Sequence, residues 1–240
     1  MKKVSIVLAS YNGERFIKQQ IQSIISQMNR QDELIISDDG STDETVNIIK
    51  KFVDYRIKLT NGPQKGVIKN FEHAIQQTSG QIIVMADQDD IWLDNRLKNI
   101  RKYFSGTTNK MAVYQSQLKF IDAKKNVVFA SPMKPVSGIV RNVIRNRYIG
   151  AMMAFSSSLK DYILPFPENI AMHDQWIGLV NEILKGEFKI SNEPEVLYRR
   201  HGQNLTGETK KLTIIKKVIN RLYMSYYLLK KYLYVKRRKL

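Results

Sequence analysis

Over the first ninety residues, apolar runs alternate with amphipathic segments, and three of the runs break off abruptly into polar or acidic clusters. Val4–Ala9, Glu33–Ser37 and Gln81–Ala86 have the length and β-branched content of buried strands. A fourth run, Arg56–Thr60, is weaker. Between them, Glu14–Gln27 places Phe16, Ile17, Ile21, Ile24 and Ile25 at helical spacing, and Val67–Gln77 reads as another helix. Ser41-Thr42-Asp43-Glu44 fits a capping box opening a helix that runs to Val53. Alternation of this kind predicts right-handed βαβ units around a mostly parallel sheet. Such sheets bind ligands at the carboxyl ends of their strands. There the chain places Ser10–Glu14, Asp38–Thr42 and Asp87–Asp90.

The third cluster says most about chemistry. Asp87-Gln88-Asp89-Asp90 puts three carboxylates in four residues, which repel one another unless a cation or basic group lies between them. Hard divalent cations take oxygen ligands, one or two from protein and the rest from substrate phosphates. The competing assignment is a helix N-terminus, with Asp90 capping a helix over 91–104. Asp38 follows its strand as a carboxylate able to accept the imide N–H of a pyrimidine, or simply as a turn residue. Asp174, in Met172-His173-Asp174-Gln175-Trp176, is either a cap for the helix 174–184 or a general base for an acceptor hydroxyl. Tyr198-Arg199-Arg200-His201 follows a short strand with phosphate-binding guanidinium groups and an imidazole. His201 is a candidate metal ligand or phosphate donor. Lys65-Gly66 precedes a helix and offers an ammonium and backbone N–H groups to a phosphate or base.

Elsewhere the pattern is looser. Residues 111–120, 126–129, 188–190 and 195–198 read as strands, and 138–147 as a basic amphipathic segment. There are no cysteines, which excludes disulfides and thiolate chemistry and fits a reducing compartment. No apolar stretch is long enough for a membrane span, and the phosphate-binding signatures G-x-x-x-x-G-K-[ST] and G-x-G-x-x-G are missing. A net charge of +17 is concentrated in the tail, where residues 208–240 hold eleven Lys/Arg against one acid. Apolar and aromatic residues recur there at helical spacing, which predicts one or two basic helices that pack on the domain or lie on an anionic membrane. No nucleic-acid module accompanies the charge, so nucleic acid is not an expected partner.

Val4–Gly13, Ser37-Asp38-Asp39-Gly40-Ser41-Thr42-Asp43 and Ala86-Asp87-Gln88-Asp89-Asp90-Ile91-Trp92 together resemble the family 2 glycosyltransferases of GT-A fold, over about residues 1–205. The resemblance implies a GT-A-type nucleotide-binding α/β/α sandwich with a mostly parallel mixed sheet (residues 1–207), followed by a basic amphipathic tail (208–240). It implies a nucleoside-diphosphate sugar donor, UDP- or TDP-linked, a divalent metal (Mn²⁺ or Mg²⁺), and inversion at the anomeric carbon. Ser10, Tyr11, Asp38 and Asp87 then contact the donor, Asp87 on the ribose side, with Lys65 joining them from its own position before a helix, and Asp89 and His201 hold the metal. Asp174 stands at the position of the catalytic base, although the family's usual Glu-Asp pair is His173-Asp174 here. Residues 149–155 resemble the segment lining the acceptor side. The Gln-x-x-Arg-Trp motif of processive synthases is absent, so one sugar per encounter is expected. The finer pattern looks most like bacterial rhamnosyltransferase-like enzymes of surface polysaccharide assembly, with TDP-rhamnose among the donors and a glycan or lipid-linked glycan as acceptor. The expected location is cytoplasmic, peripheral at the inner face of the cell membrane. The alternatives are a catalytically weak membrane-associated scaffold with a transferase-like fold, or a metal-dependent phosphatase. The latter leaves Asp38 and Asp174 without a role.

Overall fold

The computed structural model describes residues 2–122, 127–129, 138–201 and 214–237. Four strands, β1 (Val4–Ser10), β2 (Glu33–Asp38), β3 (Ile57–Asn61) and β4 (Ile82–Asp87), alternate with α1 (Ile17–Ile25), α2 (Thr45–Lys50) and α3 (Val67–Gln76). Then come β5 (Ile91–Trp92), α4 (Arg96–Gly106), β6 (Ala112–Ile121), β7 (Val127–Phe129) and α5 (Ile139–Ile144). A 3₁₀ turn at Gly150–Met152 leads into β8 (Met153–Ser156), α6 (Lys160–Ile163), α7 (His173–Ile183), β9 (Glu187–Arg199) and α8 (Ile214–Arg237).

The strands form one sheet in the order β3-β2-β1-β4-β8-β6-β9-β5, with β7 beside β6. β3, β2, β1 and β4 are mutually parallel, as the βαβ alternation requires. β8 runs antiparallel between β4 and β6. β9 is parallel to β6 and antiparallel to β5.

The central strands are buried on both faces, and alternate residues enter two different cores. Val4, Ile6 and Leu8 of β1 pack with Ile17, Ile21 and Ile24 of α1 and Leu97 and Ile100 of α4. Val7 and Ala9 pack with Phe71, Ala74 and Ile75 of α3 and with Ile177 and Val180 of α7. This two-sided burial makes the fold an α/β/α sandwich and explains why the strands read as continuous apolar runs. The described tail is a single helix, α8, whose Met224 and Leu228 join the second core. The expected boundary at 207/208 lies outside the described residues.

Three local expectations are corrected. No capping box forms: Ser41 turns its hydroxyl to Asp38 Oδ2 (2.7 Å), and α2 begins at Thr45, whose N–H and hydroxyl donate to Asp43 Oδ1. Asp90 caps no helix. Residues 91–92 are spent pairing with β9, so α4 starts only at Arg96. Arg96 is fully buried, 4.6 Å from the Trp92 ring, and donates to Ser116 Oγ and the Ala151 carbonyl. The two closing strands are one, β9, because residues 191–194 bridge them along β6 with register shifts.

Buried Glu33 ties the far end of the sheet together. Ser5 Oγ, the Ser79 N–H and hydroxyl, and Lys58 Nζ all donate to it at 2.6–2.8 Å. Burial works to raise its pKa, but these bonds outweigh it and hold the carboxyl far below 4.5. Glu33→Gln is expected to cost about 1–3 kcal/mol in urea unfolding at neutral pH. Because the folded pKa is depressed, the wild-type advantage is present above the ordinary carboxylate range and is expected to shrink as pH falls below about 4.5. A pH-independent difference would contradict this account.

Candidate active site

The site lies at the carboxyl ends of β1, β2 and β4, and register assembles it. Ser10 pairs with Asp38 across β1–β2, and Ala9 pairs with Asp87 across β1–β4. The loops that follow are stitched together. Asn12 N–H donates to Ser41 Oγ, Thr42 N–H to Asn12 Oδ1, and Gly13 N–H to Thr45 Oγ1, all at 2.7–2.9 Å. Gln88 pairs its side-chain amide with the Tyr11 peptide, accepting from the N–H and donating to the carbonyl at 2.9 Å each. A Cβ at Gly13 would run into that amide, so glycine permits the close approach.

The Asp38 carboxylate takes Ser10 Oγ and Ser41 Oγ on one oxygen (2.7 Å each) and the Gly40 and Ser41 N–H groups on the other. Tyr11 beside it is exposed, while Ser10 is buried. Asp39, which the sequence did not single out, holds the loop bearing Lys65: its two oxygens accept the Gln64 and Gly66 N–H groups at 2.7 Å. Lys65 itself is exposed at the rim.

Asp87, Asp89 and Asp90 bring ligand oxygens within 4.8 Å of one another. Burial, then the charges of Asp89 and Asp174, push Asp87 up to about 7. Burial and the charges of Asp89 and Asp87 raise Asp90 well above its ordinary value. Asp90 accepts the Arg199 N–H at 3.0 Å, and its other oxygen has no partner among the described residues. His201 Nε2 lies 2.8 Å from Asp89 Oδ2, with the ring against Phe16. A crowded carboxylate set with an adjacent imidazole, including a buried orphan oxygen, fits a divalent cation. Arg199 does not face the site as a phosphate ligand. It is buried, donates to the Asp89 carbonyl and Gln19 Oε1, and lies 4.9 Å from the Phe16 ring.

Asp174 sits in the first turn of α7 with Met172 as N-cap. Burial pushes it up to about 6, against bonds from Gln175 N–H (2.6 Å), Asn146 Nδ2 (3.1 Å) and Gly150 N–H (3.0 Å). Asn146 and Gly150 were missed as partners, since each precedes Asp174 by more than twenty residues. His173 is buried against Phe71 and Phe166, with no hydrogen bond at either ring nitrogen among the described residues, and burial holds it down to about 4. It is therefore neutral at pH 7. A Cβ at residue 150 would stand 2.8 Å from His173 Nε2. The site thus brings together Ser10, Tyr11, Asp38, Asp87, Asp89, His201 and Asp174, with Lys65 at its edge. Gln88→Ala is expected to speed hydrogen exchange at the Tyr11 amide by about tenfold or more, read by exchange mass spectrometry. Unchanged exchange would show that the amide pairing does not hold the loop.

Comparison with known proteins agrees with this geometry. Residues 5–164 match the family described as Glycosyl transferase family 2. The UDP-Glc:alpha-D-GlcNAc-diphosphoundecaprenol beta-1,3-glucosyltransferase WfaP of Escherichia coli is 27% identical over 210 residues, covering 86% of this chain and 81% of the relative. The Escherichia coli beta-1,3-glucosyltransferase WfgD, named for the same donor and acceptor, is 41% identical over 96 residues, but the match spans only 40% of this chain and 38% of that relative. The dTDP-rhamnosyl transferase RfbG of Shigella flexneri is 29% identical over 216 residues, 83% of this chain and 73% of the relative. Among solved structures, S. aureus TarS in complex with UDP-GlcNAc superposes with a TM-score of 0.68 at 19% identity, covering 87% of this chain and 62% of the TarS chain. A sheet whose parallel half gathers its acids at one edge, with this family's sequence pattern across two thirds of its length, makes the chain a member of glycosyltransferase family 2.

Proposed function

We propose that this protein transfers a single sugar, with inversion and with a divalent metal, from a UDP- or TDP-linked donor to a hydroxyl of a glycan or lipid-linked glycan acceptor in bacterial surface polysaccharide synthesis. The observation that carries the reading is the gathering of Asp87, Asp89 and Asp90 beside His201, with Asp174 near enough for its charge to raise Asp87. The relatives' names support the range of donors: UDP-Glc for WfaP and WfgD, dTDP-rhamnose for RfbG. Two of those names specify a diphosphoundecaprenol-linked acceptor. We place the enzyme at the cytoplasmic face of the membrane, held there by its basic tail.

Asp89 and His201 would hold Mn²⁺ or Mg²⁺. Bound there, the cation supplies Lewis-acid neutralisation of charge on the leaving diphosphate. Asp38 accepts the imide N–H of the base, which would displace one of the two rotatable hydroxyls now donating to it. Ser10 and Tyr11 line the base, Asp87 meets the ribose, and Lys65 meets a phosphate or base from the rim. Asp174 takes the acceptor hydroxyl proton. The freed oxygen bonds to C1 as the bond from C1 to the diphosphate oxygen breaks on the opposite face, so the anomeric centre inverts. Asn146, Gly150 and Gln175 position the carboxylate for that transfer.

Asp89→Ala and Asp174→Asn are each expected to lower turnover of UDP-glucose or TDP-rhamnose by about 10²-fold or more, with chelator abolishing wild-type turnover. Because Asp174 must be ionised to act, transfer is expected to fall as pH drops through about 6 and to level off above it. Unchanged turnover in both variants would sink the mechanism. For base recognition, calorimetric titration with UDP and TDP is expected to show about tenfold or greater weakening in Asp38→Ala but not in Asp54→Ala. Equal affinities would remove Asp38 from the donor site.

A further inference from the structure

Helix α8 extends about 36 Å, at 1.5 Å per residue. One face of it is accounted for: Met224, Leu228 and Val235 are buried. Arg221 Nη2 fastens the helix to the Ile144 carbonyl at the end of α5 at 2.8 Å. The opposite face carries Ile215, Ile219, Leu222, Tyr226, Leu229 and Leu233, all between 43% and 73% exposed. Their spacing of four and three residues makes one continuous apolar stripe, far longer than the isolated hydrophobic residues ordinary on a surface. The helix it is fastened to, α5, is exposed at Val140 and Ile144 and at Arg141 and Arg145.

Two occupants fit such a stripe by shape: a second copy of the helix, or a bilayer. Charge separates them. α8 holds no carboxylate, and Lys230, Lys236 and Arg237 stand at helical spacing beside Tyr226 and Leu233 of the stripe. Two copies paired along the stripe would set cations against cations with no acid between. Anionic headgroups would meet those cations while the apolar side chains sink beneath and the tyrosines stay at the interface. Among the described residues no helix is long and apolar enough to cross a membrane, so α8 would lie in the plane.

We infer that α5 and the outer stripe of α8 form one docking surface for an anionic lipid bilayer. The inference deepens the membrane placement proposed above and gives it an orientation. Asn146, two residues beyond α5, donates to Asp174, so docking there brings the acceptor side of the Asp174 pocket to the headgroups. A lipid-linked acceptor would then arrive at the base without leaving the membrane.

The test is flotation of the full chain with vesicles of mixed phosphatidylglycerol and phosphatidylcholine, or of phosphatidylcholine alone. UDP and TDP titrations and sedimentation velocity are run on the same samples. The wild type is expected to bind the anionic vesicles about tenfold or more tightly than the neutral ones, weakening at roughly 0.5 M salt. Leu222→Asp/Leu229→Asp and Val140→Asp/Ile144→Asp are each expected to lose several-fold or more of that binding while retaining UDP binding and helical circular dichroism. Equal flotation of wild type and both variants overturns the inference. So does a wild type that binds UDP yet does not float, an outcome that leaves the transferase reading intact. A stripe variant that turns a dimer into a monomer without altering flotation overturns it in favour of a second copy. Failure of the wild type to bind either UDP or TDP would instead count against the donor reading, whatever the vesicles show.

Discussion

Strand β1 pairs parallel with β2 on one side and β4 on the other, and its register sets the site. Opposite Ser10 stands Asp38, and opposite Ala9 stands Asp87. The three chain reversals therefore occur at one edge, where Asn12, Ser41, Thr45 and Gln88 can bond from loop to loop. A slip of one residue in either pairing would turn the strands' inner faces over, because side chains alternate between two separate cores. The close apolar packing on both faces thus holds the polar edge in alignment. The loops need little stability of their own.

Gathering acids at that edge has an electrostatic cost, and the protein does not cancel it fully. Asp87, Asp90 and Asp174 are all raised above the usual carboxylate range, each chiefly by burial. Arg199 directs its guanidinium to the Asp89 carbonyl and Gln19 and its backbone N–H to the Asp90 carboxylate, bracing the cluster from behind. Beside Asp174 stands a neutral, buried histidine in place of a second carboxylate. That substitution keeps one negative charge out of an already crowded basin. A partly uncompensated acidic basin suits the cation and the proton acceptor proposed above.

Much of this was legible in the sequence. The βαβ alternation, the two-sided burial of β1, β2 and β4, and the strand-end placement of Asp38 and Asp87 follow from apolar runs and turn residues, which are local signals. One error was a competition between near neighbours, and the others were settled from afar. Ser41 had the sequence of a cap but found Asp38 first. Ile91 and Trp92 looked helical but were claimed by β9, more than one hundred residues away. The partners of Asp174 were invisible because Asn146 and Gly150 arrive from another segment: 149–155 resembled the acceptor side, but nothing local pointed to bonds with Asp174.

The amino-acid sequence by itself determined the layered α/β architecture, the family and the residues that carry charge at the strand ends, because periodicity and motif spacing are properties of neighbouring residues. Only the tertiary structure decided which of those residues meet. It set His201 on Asp89, turned Arg199 inward, and gave Asp174 its three donors. It also divided α8 into a face that packs and a face that stays open, since burial depends on what lies across the gap and not on the helix alone.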